Sequence, residues 1–565
     1  MTETSMPEIT RESAPMTFVR HRRRSIRPAG LAESVPQTTV GTPVDKAATK
    51  MQGVHTLVAM PQWYINFNLD DLLQHGRTTG GASLRDVTLC MAPGSNAWLR
   101  GAVSKLATTV CVPGNPTKVI FLVTFADGTM EYQAGGTKAS CDIAGLRFGI
   151  TVDLGTATVQ AGDYAQLPDD VRQRIGALKP GAFTVEQLLM DLQAAQAAHY
   201  DPAATVFPAG MPSAAIGQFP GYMTQYLGNV AAAGGQVLGY AVQVPADSEP
   251  IATFPPTALA SATNQYRAGT PDAPVFDPDV DTVSYLMMTG DKPFPPQFTP
   301  WWGNFVAPSD GKDDTWYGTI AVARELFLEK FLLPRLGPLV CGYWNLSDTT
   351  DGLAVKYQPV AAAFSPTTLG GHWLVPEQRS RSHRTNTWSN DDVDYTFSWG
   401  GVLNLVPGTN KIVISHLACP SLTYTHWYGI EGHAASYTYF IGFSIMATIT
   451  ITVVGVIDGK LQTQVAFTID GLQPAAASGE PDRWHLGNQE GDPAVWKHIG
   501  DTKDDVVSDL LKAAGDAVRP VGLEKAIEDN LNLTPFVFPG GSQLNMINPV
   551  FNDEGDLLLG LSYKS

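Results

Sequence analysis

Charged residues and cysteines are both scarce in this chain of 565 residues. Asp, Glu, Lys and Arg together make up 16% of it, against about 25% in ordinary globular proteins. The five cysteines are odd in number, and none of them forms a Cys-x-x-Cys pair. These absences argue against a disulfide framework and against a cysteine-based zinc site. The cysteines are therefore expected to be buried thiols of a chain that folds in a reducing compartment.

The signatures of the common enzyme classes are also missing. The sequence contains no G-x-S-x-G, no H-E-x-x-H, no Walker A motif and no G-x-G-x-x-G leading into a helix. Asp277-x-Asp279-x-Asp281 begins like a calcium loop, but Thr282 and Met288 stand where Gly and a bidentate Glu are required. The histidines between 372 and 498 follow no ligand spacing. The sequence thus predicts a protein that is not an enzyme and has no metal or cofactor.

The net charge of −17 argues against nucleic acid as a partner, because phosphate backbones are repelled by an acidic surface. One basic run, Arg20 to Arg27, lies in a polar leader, residues 1–50, that we expect to be disordered. The run is first of all interpreted as a solvated part of this disordered arm, and the more specific alternatives are a targeting arm or a tether to an anionic membrane surface. No apolar stretch follows it as in a signal peptide. The sequence therefore predicts synthesis in the cytoplasm, with any release by a non-classical route.

Abundant Gly, Pro, Thr and Val favour strands and turns over a helical bundle. An antiparallel meander is predicted early in the chain, with strands at 97–112, 118–125, 129–133 and 146–159. Its turn signals include Asp127-Gly128.

The residues from Tyr437 to Ile457 are long enough to span a membrane and carry no charge. Thr448, Thr450 and Thr452 alternate there with β-branched apolar residues, and this period of two predicts a strand and not a helix. Asp458-Gly459 then reads as a hairpin turn. We therefore predict a long β-hairpin over residues 437–469. Val393, Tyr395, Phe397 and Trp399 also follow a period of two, which predicts a long strand over 393–406.

Helical signals are fewer. A capping box at Thr184 and Gln187 predicts a helix towards residue 199, and a second helix is expected over 213–233. The strongest later helix is predicted over 317–333, ending before Pro334, with Phe327 and Phe331 buried. Helices at 504–518 and after Pro520, and a closing strand at Leu557–Tyr563, complete the chain.

These signals divide the chain into five parts. They are the disordered leader 1–50, an N-terminal β-rich part with two helices at 51–245, a Pro-rich loop at 246–278, a part with one helix and long strands at 279–470, and C-terminal helices with a closing strand at 471–565.

Aromatic residues cluster where loops and strands are predicted to meet. Indole and phenol groups combine an apolar body with a polar tip, which suits interfaces. The alternative is that they close the ends of a β core. The candidate apolar-ligand or interface residues are Trp301, Trp302, Phe327, Phe331, Trp427, Tyr428, Tyr439 and Phe440.

The strand-like run 284–289 and the helix-like run 323–336 resemble a strand-plus-helix unit of the 47-kilodalton and OrfX proteins encoded beside certain clostridial neurotoxins. Tyr395-Thr396-Phe397-Ser398-Trp399 and the hairpin at Asp458-Gly459 follow in the same order. Asp70-Asp71-Leu72-Leu73 and 119–125 resemble the family's opening strands. This resemblance implies the fold of the TULIP (tubular lipid-binding) superfamily. That fold is α+β and β-rich, elongated, with long curved antiparallel sheets wrapped around long helices.

The function implied by this resemblance is non-enzymatic binding of lipid or another apolar ligand, as an accessory to a toxin or secreted factor. Protein partners are also compatible with it. Two alternatives remain open. The first is a pore-forming or membrane-inserting toxin that uses the 437–469 hairpin. The second is a structural or interaction protein whose tube is filled by its own side chains.

Overall fold

A computed structural model defines most of the chain. The structure describes residues 44–76, 81, 83–91, 96–167, 171–172, 183–193, 195, 197–243, 253–270, 273–296, 303–308, 316–340, 342–349, 352–359, 364–385, 389–430, 433–442, 444–457, 460–473, 484–491, 527, 536–537 and 544–563. The predicted helix at 504–518, most of the leader, and all of the helix predicted after Pro520 except the helical and buried Ile527 lie outside the described residues.

Strands dominate the described residues, which confirms the β-rich prediction. The strands are β1 (Thr56–Pro61), β2 (Asp86–Cys90), β3 (Trp98–Thr109), β4 (Lys118–Ala134), β5 (Thr137–Asp142), β6 (Arg147–Thr158), β7 (Thr184–Met190), β8 (Val237–Gln243), β9 (Ala258–Asn264), β10 (Ala268–Thr270), β11 (Ala273–Val275), β12 (Thr282–Met288), β13 (Gly318–Val322), β14 (Gly342–Thr349), β15 (Gly352–Pro359), β16 (Phe364–Thr367), β17 (Gly370–Thr385), β18 (Ser389–Val406), β19 (Lys411–Ile430), β20 (His433–Gly442), β21 (Ser444–Ile457), β22 (Lys460–Gln473), β23 (Trp484–Gly491), β24 (Phe536–Val537), β25 (Leu544–Phe551) and β26 (Leu557–Tyr563).

The described helices are fewer than the strands. They are α1 (Val44–Ala47), α2 (Gln62–His75), α3 (Ser213–Ala232), α4 (Leu333–Val340), a π-helix at Glu325–Leu332 and 3-10 turns at Ala161–Gln166, Ala197–His199 and Pro278–Val280. None of these helices combines the length and the apolar character needed to cross a membrane.

The chain divides into two compact units. Unit 1 comprises Met1–Ala321, Asn532–Met546 and Gly560–Ser565, and unit 2 comprises Val322–Leu531 and Ile547–Leu559. The predicted Pro-rich loop at 246–278 is not a boundary of this kind. It contains β9, which pairs with β12, and the small β10–β11 hairpin.

In unit 1, one sheet has the order β2-β3-β4-β6-β7-β8-β24, with β5 beside β4. The sequence predicted a turn at Asp127-Gly128, and this prediction is wrong because β4 runs through both residues. Gly128 pairs with Gly101 of β3 next to a register shift. Two glycines facing each other let the backbones approach closely, so the strand bulges where a turn was expected.

The helix predicted from the capping box at Thr184 and Gln187 is also wrong, since both residues lie in β7. This strand pairs with β6 on one edge and β8 on the other. Val185 and Leu188 are fully buried there. Two sheet partners and buried side chains outweigh a local capping signal, because tertiary packing overrides propensity.

Helix α3 confirms the prediction over 213–233 and packs against the sheet of unit 1. The ring of Phe219 contacts Phe125 and Phe148, with centroids 6.1 and 5.4 Å apart. The buried hydroxyl of Tyr226 donates to the Leu84 carbonyl oxygen over 3.0 Å. Burial raises the pKa of the Tyr226 phenol.

A further group of strands in unit 1 has the order β13-β1-β12-β9. The strand-like run at 284–289 corresponds to β12, and all seven residues of this strand are buried. The helix predicted over 317–333 is wrong at its start, because Gly318–Val322 is strand β13. Asp70–Leu73, which resembled an opening strand, lies in helix α2.

The described chain begins inside the leader that the sequence predicted to be disordered. Lys46 of α1 is buried, and its Nζ lies 3.5 Å from the centroid of the Trp316 ring. The hydroxyl of the buried Thr49 donates to the Asn304 carbonyl oxygen over 3.4 Å. The prediction of disorder is therefore wrong for residues 44–50, in which Lys46 and Thr49 are buried.

This packing predicts that two truncations will differ. Removing residues 1–43 should leave the Tm unchanged, whereas removing 1–50 should lower it by several degrees. The second truncation deletes a desolvated cation–π contact worth about 2 kcal/mol, as well as the packing of Thr49. Thermal denaturation of both truncations and of full-length Lys46→Met measures this. Equal Tm values for the two truncations would show that the 44–50 segment adds nothing.

In unit 2, strands β16, β17, β18, β19, β21 and β22 follow one another, and β20 pairs with β19 and β23. The predicted hairpin at Asp458-Gly459 is confirmed, since Ile457 pairs with Lys460. Ile449 and Ile451 are buried, while Thr448 and Thr450 are half-buried. The Thr/Ile alternation therefore separates two faces of a sheet.

Candidate functional site

Phe327 and Phe331, two of the predicted ligand or interface residues, lie in the π-helix of unit 2. Both side chains are fully buried. Their rings stack with centroids 6.1 Å apart, and Phe327 also contacts Phe551 at 5.8 Å. Their partners are side chains of the same unit, so in this structure the two rings are core residues.

The π-helix is held at both ends by polar groups. At its start, the Arg324 backbone N–H donates to the Asp556 carboxylate over 2.8 Å, and Arg324 Nη1 lies 3.0 Å from Glu329 Oε1. Burial raises the pKa of Asp556. At its end, the Leu333 N–H donates to the Leu328 carbonyl oxygen, five residues back.

Pro334 does not end this helix as predicted, because it lies in the first turn of α4. The π-helix continues directly into α4, so the proline removes one backbone donor at the point where the hydrogen-bond pattern changes from π to α. Beyond it, the Arg335 guanidinium carbon lies 4.0 Å from the centroid of the Phe331 ring. Arg335 Nη1 donates to the Phe331 carbonyl oxygen over 2.8 Å. The contacts around this segment are those of a packed junction between two helices.

The calcium-like run at Asp277, Asp279 and Asp281 is a polar turn in the structure. Asp277 accepts from the Asp279 N–H, and Asp281 accepts from the Tyr266 N–H over 2.8 Å. Burial raises the pKa of the Asp281 carboxyl, which also accepts from the Cys111 thiol. Within the part of the chain that the structure describes, no three His, Cys, Asp or Glu residues are grouped to hold a metal ion.

The other predicted site residues lie on the long strands of unit 2, except Trp301 and Trp302, which fall outside the described residues. Tyr428 and Trp427 belong to β19, and Tyr439 and Phe440 belong to β20. Directly paired residues of antiparallel strands share a face, and neighbours along a strand alternate between faces. The register therefore places Tyr428 and Tyr439 on one face and Trp427 and Phe440 on the other.

The face that carries Tyr428 and Tyr439 continues the buried face of the sheet. Leu403 and Leu405 of β18 and Ile412 and Ile414 of β19 are buried, and β18 pairs with β19 without a register shift. Every second residue beyond them therefore stays on the same side. We call these positions the extended core face. It comprises Asp391, Val393, Tyr395, Phe397 and Trp399 of β18, Leu422, Tyr424, His426 and Tyr428 of β19, and Tyr437, Tyr439 and Ile441 of β20. The residues of β17 and β23 that pair with these positions belong to the same face.

The opposite face of the same strands is polar. It carries Asp392, Asp394, Thr396 and Ser398 of β18, Ser421, Thr423 and Thr425 of β19, and Ser436 and Thr438 of β20. Trp427 and Phe440 are its aromatic exceptions. One face of this part of the sheet is thus suited to apolar contact and the other to water.

Strands β20 and β21 extend this arrangement along one edge of β19. Ser421 of β19 pairs with Gly442 of β20. Ala418, three residues earlier in β19, pairs with Ile445 of β21, three residues after Gly442. The two strands therefore keep a single register, and the long strand predicted over 437–457 corresponds to both of them. The sequence identified the alternation in Val393–Trp399 but not Leu422 and Tyr424. These two residues of β19 lie opposite Tyr395 and Val393, and only the strand register shows this.

Comparison with known proteins gives structural matches only. No protein-family model matches the sequence, and the curated proteins include no significant match. Among solved structures, P47 of Clostridium botulinum E1 matches with a TM-score of 0.42 and 10% identity, over 91% of this chain and 100% of that one. A lipopolysaccharide binding protein matches with a TM-score of 0.27 and 8% identity, over 90% of this chain and 99% of that one. P47 is of the group that the sequence resembles, as predicted, and the two TM-scores are too low to define the fold.

Proposed function

We propose that this chain is a non-enzymatic protein that binds a lipid or another apolar ligand against the extended core face of unit 2. The observation that carries the proposal is the register of β18, β19 and β20, which gathers most of the aromatic and aliphatic residues on one face and most of the serine, threonine and aspartate residues on the other. Apolar surface is covered in a stable protein because burial is favourable, by about 25 cal/mol per Å².

The dimensions of this face suit an elongated ligand. Val393 to Trp399 covers about 20 Å at ~3.3 Å per residue. A sheet that curves with this face inwards would form one wall of a TULIP-like tube, and strands of this length twist and coil readily. The role of an accessory to a toxin or secreted factor belongs to the same proposal.

Paired variants on one strand test the proposal. Tyr439→Ser removes an aromatic residue from the extended core face, and Phe440→Ser removes its neighbour from the polar face. Losing the burial of one large apolar side chain costs about 1.5–3 kcal/mol, or roughly tenfold or more in affinity. Native mass spectrometry of the purified proteins should show much less bound lipid in Tyr439→Ser and near wild-type amounts in Phe440→Ser.

Two results would count against this function. The wild-type protein could carry no lipid and take up none from vesicles, or the two variants could lose lipid equally. A dye-release assay on liposomes examines the competing pore hypothesis, which depends on the hairpin of β21 and β22. Dye release that is lost when this hairpin is deleted would favour the pore.

A further inference from the structure

One row of residues crosses the extended core face at the end far from its buried half. Arg384 of β17 pairs with Asp391 of β18, and Asp391 pairs with His426 of β19. His426 pairs with Tyr437 of β20, and Tyr437 pairs with Gln489 of β23. Residues paired in succession share one face, so these five positions form a single polar row across five strands.

The rows next to it on the same face are much less polar. Moving one step towards the core, the register gives Ser382, Val393, Tyr424, Tyr439 and Leu486. The step after that gives Ser380, Tyr395, Leu422, Ile441 and Trp484. The face therefore changes from apolar to polar within two residues at this row, and the next row beyond it consists of Ser389, Tyr428, Ala435 and Gly491.

Formal charge on this face is concentrated in the same row. In the described parts of β17, β18, β19, β20 and β23, the register assigns two residues of fixed charge to the extended core face, Arg384 and Asp391. The other arginines of β17, Arg379 and Arg381, are assigned to the polar face opposite Thr396 and Asp394. Arg384 is thus the one cation of fixed charge that the described register places beside the aromatic residues.

From this juxtaposition we propose that the row of Arg384, Asp391, His426, Tyr437 and Gln489 binds the anionic headgroup of an amphiphile whose apolar chain lies along the extended core face. The inference rests on the proposed function and adds the ligand's class and orientation. A guanidinium has five N–H donors, so Arg384 can serve a carboxylate or phosphate as well as the neighbouring Asp391. Histidine, tyrosine and glutamine add donors of the kind that headgroup oxygens accept.

The test uses three probes with the same twelve-carbon chain, namely dodecanol, dodecanoate and dodecyl phosphate. Binding to the full-length protein is measured at pH 7.5 for the wild type, Arg384→Gln and Arg381→Gln. Charge-assisted hydrogen bonds are stronger than neutral ones, so the wild type should bind at least one anionic probe about tenfold more tightly than dodecanol. Arg384→Gln should abolish this preference, so that the anionic probes bind no more tightly than dodecanol. Arg381→Gln should behave as the wild type.

The outcomes separate the two proposals. A preference for dodecanoate alone or for dodecyl phosphate alone identifies the headgroup. Equal wild-type binding of all three probes, or a preference that survives Arg384→Gln or is lost equally in Arg381→Gln, overturns the headgroup site while apolar binding stands. If the wild type binds none of the three probes, the proposed function itself is wrong.

Discussion

Phe327→Ala is expected to lower the free energy of unfolding by about 3–5 kcal/mol, from lost transfer energy and from the cavity that remains. The side chain is fully buried and contacts the rings of Phe331 and Phe551. Since domains are stable by only ~5–15 kcal/mol, a loss of this size should be plain in urea denaturation. Hydrogen exchange of residues 325–332 supplies a local measurement of the same change.

Phe67→Ala is the matched control, because its ring is 44% exposed and its loss should cost much less. If Phe327→Ala does not fold, Phe327→Leu should fold with a cost of about 1.5 kcal/mol or less. Bound lipid should not change in either variant, because Phe327 is a core residue and not part of the extended core face. A wild-type unfolding curve for Phe327→Ala would contradict the packing described for the π-helix.

Gly128→Ala should destabilise unit 1 by about 2–6 kcal/mol, since two costs of about 1–3 kcal/mol each combine. Gly128 has a φ of +143°, and an added Cβ would lie 2.7 Å from the Arg100 carbonyl oxygen and 2.8 Å from the Gly101 Cα. Those neighbours are backbone atoms of β3, which cannot rotate away as a side chain would. Thermal and urea unfolding measure the effect.

Two other glycines separate the two costs. Gly114 has a φ of +74° and no atom within 4 Å of an added Cβ, so Gly114→Ala should show only the conformational cost. Gly162 has neither a positive φ nor a close neighbour, so Gly162→Ala should be nearly neutral. If Gly128→Ala were no worse than Gly114→Ala, the close approach of β3 and β4 would be energetically unimportant.

The sequence predicted those elements of the fold whose signal repeats along the chain. The alternation in Thr448–Val453 identified a strand correctly. Single local signals were less informative. The capping box at Thr184 and the pair Asp127-Gly128 were each outweighed by strand partners distant in sequence. Such partners cannot be identified from the local residues.

The candidate site shows the same limit. Val393, Tyr395, Phe397 and Trp399 were recognisable as one apolar face from their spacing, and Tyr428 and Tyr439 were named as candidates. The polar row was not recognisable, because Arg384 and Gln489 are more than one hundred residues apart. Only the successive registers of four strand pairs place them in one line, and register depends on the whole sheet.

The shared register of β20 and β21 along β19 also limits which insertions and deletions the chain can accept between these two strands. Side chains alternate with a period of two, so one residue inserted or deleted between Gly442 and Ser444 would move Tyr437 and Tyr439 to the polar face while β21 kept its place. An insertion or deletion of two residues would leave every side chain on its present face, apart from a local bulge. Length variation in homologues at this point should therefore occur in even numbers, and this parity can be read directly from their sequences.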